Sequence, residues 1–324
     1  MEHREIYDDL KHYLTMDKEE FDDSIKKRAF DTLLNHNDGY VEVSALLALT
    51  NVCKNDCTYC GLGRSNHIKR FTLDEESVIN SIDFVADNNI KEIFFIGGEN
   101  PAIKIDTYIK YIEAAKSRGL KTNLAMGVFN KKEYEMLKAA GLDTYTLKFE
   151  ESNPTLFETY KTDISFEDRM NAIHQVKKAN LKLASGSIVG LSGQTIDDVV
   201  NDIKLTVDLD VEWIPIVPYL PASGTKMAET TPKGDVELTL RAISLLRLML
   251  PDCRITAAQP SSVDGSGFGD RDGNIEALKH GANMLFVEVT PYALKKLFSI
   301  TDNRTLPRLQ EIKDLVSPLN LKIR

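Results

Sequence analysis

"VEVSALLALTNVCKNDCTYC", residues 41–60, runs from an apolar, strand-like segment straight into a loop that carries Cys53, Cys57 and Cys60. In a sheet of parallel strands, the residues just past the strand ends gather on one face. A cysteine loop at a strand end therefore predicts where other functional residues lie. The chain has 324 residues and four cysteines, and the fourth, Cys253, stands alone.

Similar apolar runs recur at 92–98 (EIFFIGG), 121–127 (KTNLAMG), 144–150 (TYTLKFE), 182–190 (KLASGSIVG), 213–220 (WIPIVPYL), 254–258 (RITAA) and 284–290 (MLFVEVT). Between most of them lie amphipathic segments such as LDEESVINSIDFVADNN and IDTYIKYIEAAKSRG. Their apolar residues fall three or four apart, the period of a helix with one buried face. Strand-like runs alternating with helices predict an α/β chain of parallel βαβ units. Eight such runs match a (β/α)8 barrel in size. An open, doubly wound sheet is the alternative, because periodicity does not say whether a sheet closes. Residues 1–40 read as an N-terminal helical extension and 41–324 as the barrel domain, with no Pro/Gly-rich linker between them.

Composition excludes several roles. A formal charge of −9 argues against a nucleic-acid partner, which favours a basic face. No apolar run approaches the roughly 18–20 residues that span a bilayer, so no membrane partner is expected. The opening MEHREIYDDLKHYL is not a signal peptide. Four cysteines with one isolated are no disulfide framework, which points to a reducing cytoplasm.

The cysteine spacing is C-x3-C-x2-C. Thiolate sulfur suits zinc or iron–sulfur clusters. A structural zinc site uses four ligands, commonly as two paired arms, and only one C-x2-C pair exists here. A 4Fe–4S cluster ordinarily takes four cysteines, so three leave one iron open, as a catalytic metal site requires. Three thiolates and a histidine on zinc, or a chance group of buried cysteines, are the plainer alternatives.

With Tyr59 just before the last cysteine, the loop resembles the signature of the radical S-adenosylmethionine (SAM) superfamily. The resemblance implies a TIM barrel of the radical SAM type and a 4Fe–4S cluster on Cys53, Cys57 and Cys60. It also implies SAM chelated at the open iron and cleaved by one electron to methionine and a 5′-deoxyadenosyl radical. Such chemistry belongs to the cofactor, and the protein contributes positioning and exclusion of water.

Companion motifs extend the likeness. In IGGENP (96–101), Gly97 and Gly98 resemble the G-G-E element in which the glutamate, here Glu99, receives the amino group of SAM. Taken alone, two glycines after a strand are a turn. GSIVGLSGQT (186–195) resembles the G-x-I-x-G element that places an isoleucine, here Ile188, on the adenine ring. Most of 40–292 resembles the biotin synthase branch, and within it the HydE-type maturases of FeFe hydrogenase, through CGLGRSNHIKRF, ESNPTLFETYKTDISFEDRMNAI and LTLRAISLLRLMLP. KHGANMLFVEVTP also resembles methylornithine synthase. By position, Glu150 matches a glutamate at the SAM ribose and methionine region, and Arg169 an arginine that pairs the SAM carboxylate.

Departures bear on the substrate. Biotin synthase binds a second cluster through cysteines where this chain has Gly97, Ala125 and Ser185. HydE has a threonine pair, expected to face the substrate, where this chain reads Ala258 and Gln259. Lys148 replaces an arginine, and PSSVDGSGFGDRDGN (260–274) is unlike HydE and expected to be flexible. His67 and His174 are expected at the surface, Cys253 and Met126 in the core, Trp213 in packing, and Asp270–Asp272 in a solvated loop.

The expected function is radical chemistry on a small molecule in the barrel, in metal-cofactor assembly like that of HydE. An electron donor such as ferredoxin or flavodoxin is implied. Methylornithine-synthase-like carbon chemistry is the second enzymatic reading, and a non-catalytic iron–sulfur or zinc protein the rival class.

Overall fold

Strand β1, Tyr40–Thr50, is buried at every residue from Val43 onward. A strand covered on both faces is expected to read as a nearly continuous apolar run. The computed structural model describes residues 2–261 and 267–324. Around β1 stand β2 (Glu92–Gly97), β3 (Lys121–Ala125), β4 (Thr144–Thr146), β5 (Lys182–Ala184), β6 (Trp213–Ile214), β7 (Arg254–Ile255) and β8 (Met284–Glu288). Consecutive strands pair in parallel from β1 to β7, and β8 pairs back onto β1. The remaining seam, β7 to β8, closes through a Thr256–Met284 bridge. There Asn283 N donates to Ile255 O at 3.0 Å and Ala257 N to Met284 O at 2.8 Å. The sheet is a closed (β/α)8 ring, which excludes the open doubly wound alternative.

The outer layer holds α1 (Glu75–Asp87), α2 (Ile105–Ser117), α3 (Lys131–Ala139), α4 (Phe166–Lys178), α5 (Ile196–Asp208), α6 (Val236–Met249), α7 (Arg271–Lys279) and α8 (Leu309–Val316). Asp74, Asn130, Ser165, Thr195, Asp235 and Asp270 each accept a backbone N–H from the first turn of the helix that follows. Such caps satisfy otherwise orphaned donors. Because these helix starts follow strand ends, the caps also fix loops at the barrel mouth. Asp270–Asp272, expected as loop, is the capped start of α7. The expectation of flexibility for 260–274 falls partly on 262–266, outside the described residues.

Among the described residues, four α-helices precede β1, Glu2–Asp8, Leu10–Thr15, Lys18–Phe21 and Lys27–His36, the last two joined by the π-helical turn Asp22–Lys26. Leu10, Phe21 and Leu33 join the same apolar core as the barrel. Arg241 of α6 donates to Met16 O at 2.6 Å and lies 4.9 Å from the Phe21 ring centre. The chain ends with Lys322–Ile323 paired to Tyr40–Val41.

Two of the expected strands are split. Past β5 and β6, the backbones part and pair again as Ile188–Val189 with Val217–Pro218. Gly186 and Pro215 stand at the break, where a Cβ on Gly186 would press on the Pro215 carbonyl at 3.1 Å. Proline offers no N–H to continue the ladder. The second pairing carries Ile188 beyond the barrel rim.

At the opposite end of the barrel, Arg254 is buried among carboxylates. Its Nη1 lies 2.6 Å from Glu92 and 3.4 Å from Glu42, and its Nη2 3.7 Å from Glu212. Removing one member of a buried pair strands the other charge. Arg254→Met should therefore lower the unfolding free energy by about 3–5 kcal/mol in a urea titration. Adding Glu92→Gln should recover part of that loss; a double variant no more stable than the single one would contradict the pairing.

Candidate active site

The cysteine loop is held in shape by an arginine at its far end. Arg70 donates to the carbonyls of Asn51 at 2.7 Å, Leu62 at 2.9 Å, Gly63 at 2.5 Å and Asn66 at 2.9 Å. Asn51 secures the base of the loop, donating to Lys69 O and Leu297 O at 2.8 Å each and accepting from Phe71 N at 2.7 Å. The three cysteines are half-buried free thiols. Burial pushes the Cys60 thiol up to about 12 and raises that of Cys53. Without a bound cation these two stay protonated, so metal binding would release protons. Among the described residues, no three His, Cys, Asp or Glu side chains converge closely enough for a single metal ion.

The end of β2 passes beneath this loop. A Cβ on Gly98 would overlap the Val52 carbonyl oxygen and crowd the Cys53 Cβ, so only glycine fits there. Lys54 N donates to Glu99 O at 2.9 Å, joining the two segments. The Glu99 side chain rests in space left by Gly127, whose φ of +95° and missing side chain both favour glycine. Its carboxylate has Lys54 Nζ at 3.5 Å.

Across the mouth, four charges meet. Glu150 has φ +67°, a sparsely populated conformation for a non-glycine residue. Its backbone is fixed by Glu150 N to Gly186 O at 3.1 Å and Ile188 N to Glu150 O at 2.9 Å. Lys148 Nζ is 3.0 Å and Lys161 Nζ 4.0 Å from the Glu150 carboxylate. Burial opposes ionisation of Glu150, but Lys148, Lys161 and Arg169 outweigh it and hold its pKa below the usual value. Arg169 sits in the first turn of α4, set by the cap in which Asp168 N donates to Ser165 Oγ at 3.1 Å. It is 3% exposed, and its Nε has no hydrogen-bond partner. No carboxylate of the described residues lies within ion-pair distance of it. Leaving a buried charge unpaired is costly, so this guanidinium is built to meet an anion.

Ile188, 7% exposed, packs with Tyr160 and Tyr219, and Tyr59 lies against that group. Cys53, Cys57, Cys60, Tyr59, Gly97, Gly98, Glu99, Glu150, Arg169 and Ile188 all line one cavity of about 350 Å³ at the barrel mouth. That volume suits a small-molecule site.

Several lining residues carried no signal in the sequence reading. Lys161, one residue past a helix end and flanked by the motif residues, donates to Cys57 Sγ at 3.5 Å and Tyr59 Oη at 3.4 Å. Arg304 and Thr301 line the cavity from the segment after β8, where no pattern marked them. Ala258 lines the cavity, but Gln259 does not meet the expectation that it faces substrate. It is fully buried, donating to Ile216 O at 2.8 Å and Thr256 O at 3.2 Å. Both residues lie past the end of β7, and these two carbonyls hold the Gln259 amide in the wall. His67 and His174 are exposed, and Cys253 and Met126 are core. Trp213 packs and also lines the cavity.

Residues 47–206 match the profile of the radical SAM superfamily. The chain is 32% identical over 294 residues to the FeFe hydrogenase maturase subunit HydE of Thermotoga maritima, covering 90% of this chain and 82% of that one. It is 31% identical to a biotin synthase of Acinetobacter calcoaceticus, over 76% of this chain and 75% of the relative. Among solved structures it is similar to methylornithine synthase (PylB), with a TM-score of 0.82 at 20% identity, covering 98% of this chain and 94% of the other. At that identity the likeness speaks for the fold.

Arg70→Ala should release the loop carbonyls and cost about 2–4 kcal/mol, seen as a lower melting temperature together with reduced iron uptake on anaerobic reconstitution. Unchanged iron content with a lower melting temperature would separate the clamp from the cysteine geometry and contradict this role.

Proposed function

The chain belongs to the radical SAM superfamily, and from that premise we propose that its three thiols, Arg169 and the glycine-lined mouth serve SAM-dependent radical chemistry in hydrogenase maturation. It is an enzyme whose cofactors are a 4Fe–4S cluster and SAM, acting on a small molecule and requiring a reductant. The non-catalytic iron–sulfur or zinc alternative is set aside. When bound, the cofactors supply a 5′-deoxyadenosyl radical by reductive cleavage of SAM.

In this reading Cys53, Cys57 and Cys60 hold the cluster. The observation that carries the SAM assignment is the buried Arg169 guanidinium with no carboxylate of its own. It receives the SAM carboxylate, while Glu99 accepts from the ammonium. Glu150, ionised and held rigidly at its unusual φ, faces the ribose and methionine region. Ile188 and Tyr59 form the apolar slot for adenine, and bare Gly97 and Gly98 allow the close approach. Lys161 donates to a cluster thiolate, the kind of outer contact that tunes a cluster.

Maturation of FeFe hydrogenase is favoured by the identity to HydE, which spans most of both chains. A ferredoxin or flavodoxin supplies the electron, no nucleic acid takes part, and the free cysteines suit the cytoplasm. Among the described residues no helix is long and apolar enough to cross a membrane. Carbon–hydrogen chemistry on an organic substrate, as a second reading, is favoured by Ala258 in the cavity wall, which offers no hydrogen bond.

Anaerobically reconstituted protein, reduced with dithionite and given SAM, should yield 5′-deoxyadenosine; iron-loaded protein that yields none contradicts the proposal. Arg169→Lys keeps charge but loses the fork. It should raise the SAM dissociation constant about 10–100-fold, from a loss of about 1.5–3 kcal/mol, as measured by equilibrium dialysis. Lys161→Met should lower the midpoint potential of the cluster in an EPR-monitored redox titration, because a cation near the thiolates favours the reduced state. An unchanged potential would remove Lys161 from the cluster's surroundings.

A further inference from the structure

Part of the cavity wall is an aromatic box whose three rings pack on one another. Phe94, Trp213 and Phe286 come from β2, β6 and β8. Their ring centroids are 5.3 Å apart for Phe94–Trp213, 5.5 Å for Trp213–Phe286 and 6.1 Å for Phe94–Phe286. Leu46, Ile96 and Ala258 complete the wall. Two of the polar handles here are already used. Trp213 Nε1 donates to Thr256 Oγ1 at 2.9 Å, and Thr146 Oγ1 donates to Asn123 Oδ1 at 2.8 Å. A charged group in this box would lose its hydration and gain no partner.

One side of the same cavity differs. Arg304, with its side chain 5% exposed, gives Nη1 to Glu288 at 2.7 Å and lies 5.0 Å from the Phe298 ring centre. Its Nη2 is buried with no partner, as is the hydroxyl of Thr301. Both residues line the cavity. Two unused hydrogen-bonding groups in the lining that also carries the aromatic wall call for one compact acceptor. The fork of an arginine that already holds one carboxylate retains geometry for a second oxygen group.

We infer that the substrate is a small carboxylate with an apolar body, its carboxylate on Arg304 Nη2 and Thr301 Oγ1 and its body against the face that Phe94, Trp213 and Phe286 present to the cavity. The inference rests on the radical SAM reading for the chemistry that follows, but the binding step stands apart from it. The head is thereby held away from Arg169, which is left to SAM, and the reacting carbon lies in a water-poor space.

Trp213 is the chain's single tryptophan, so its fluorescence reports from inside the box. The full-length reconstituted protein, with SAM present, is titrated anaerobically with 3-phenylpropanoate, its primary amide, and glutamate, read by Trp213 fluorescence and calorimetry. The carboxylate should bind at least 10-fold more tightly than the amide or glutamate. Arg304→Lys keeps a cation for Glu288 but loses the free nitrogen, and Thr301→Val loses the hydroxyl. Each should weaken 3-phenylpropanoate 10-fold or more, with little change in the melting temperature. Equal binding of glutamate, or affinity unchanged in both variants, would overturn the inference. The same preparation is assayed for 5′-deoxyadenosine. Absent cleavage with intact carboxylate binding fails the radical SAM reading alone, and intact cleavage without carboxylate binding fails this inference alone.

Discussion

A guanidinium buried with no carboxylate of the described residues within ion-pair distance, and only the more distant charge of Glu150 facing it, is the constraint around which the mouth of this barrel is organised. Arg169 is withdrawn from water by α4 and left without a carboxylate of its own. The fold tolerates that cost because the group has an anion to meet. Glu150 does not meet it: Lys148 lies 3.0 Å from its carboxylate. The backbone of Glu150, held at φ +67° by bonds to Gly186 and Ile188, keeps the carboxylate at its post while Arg169 stays free. The glycines of β2 admit a ligand close to the thiols, and Arg70 freezes the loop that carries them. Ligand recognition and local strain are thus parts of one arrangement, and both depend on ring closure to bring distant strand ends together.

The barrel was largely legible because parallel strands must be apolar on both faces, and the runs at 41–50, 92–98 and 284–290 are. Ten expected residues line one cavity: strand-end logic places the cysteine loop and the glycines after β2, whereas Glu150, Arg169 and Ile188 were legible only through the family resemblance. What stayed hidden has physical reasons. The breaks at Gly186 and Pro215 lie within apolar runs, and periodicity does not register a re-pairing of two residues. Arg70 and Lys161 act through folding back over a loop, so nothing in their sequence spacing marks them. Asp270 looked like a surface charge, although a helix cap has the same composition. Gln259 lies past the end of β7, where alternation no longer decides which way a side chain faces, and backbone carbonyls of the wall hold it.

In the reading proposed above, the chain shares its cofactor end with its relatives, and the departures expected from the sequence fall at the substrate end. Near the cysteines the match to the family's motifs is close, whereas the interior of the barrel carries Ala258 and an aromatic box. That division follows from the chemistry. Radical generation is common to the superfamily and fixes the mouth, while the chamber beneath is free to change with the molecule it holds. The box and the unpartnered nitrogen of Arg304 therefore say more about the substrate than overall identity does.

One measurement bears on the whole account. Protein reconstituted with isotopically enriched iron is examined by Mössbauer spectroscopy before and after SAM is added. The account predicts one iron site distinct from the others, whose isomer shift rises when SAM binds, because three thiolates leave that corner to the cofactor. A cluster with all irons equivalent and indifferent to SAM, or a protein that takes up stoichiometric zinc and no iron, would contradict it.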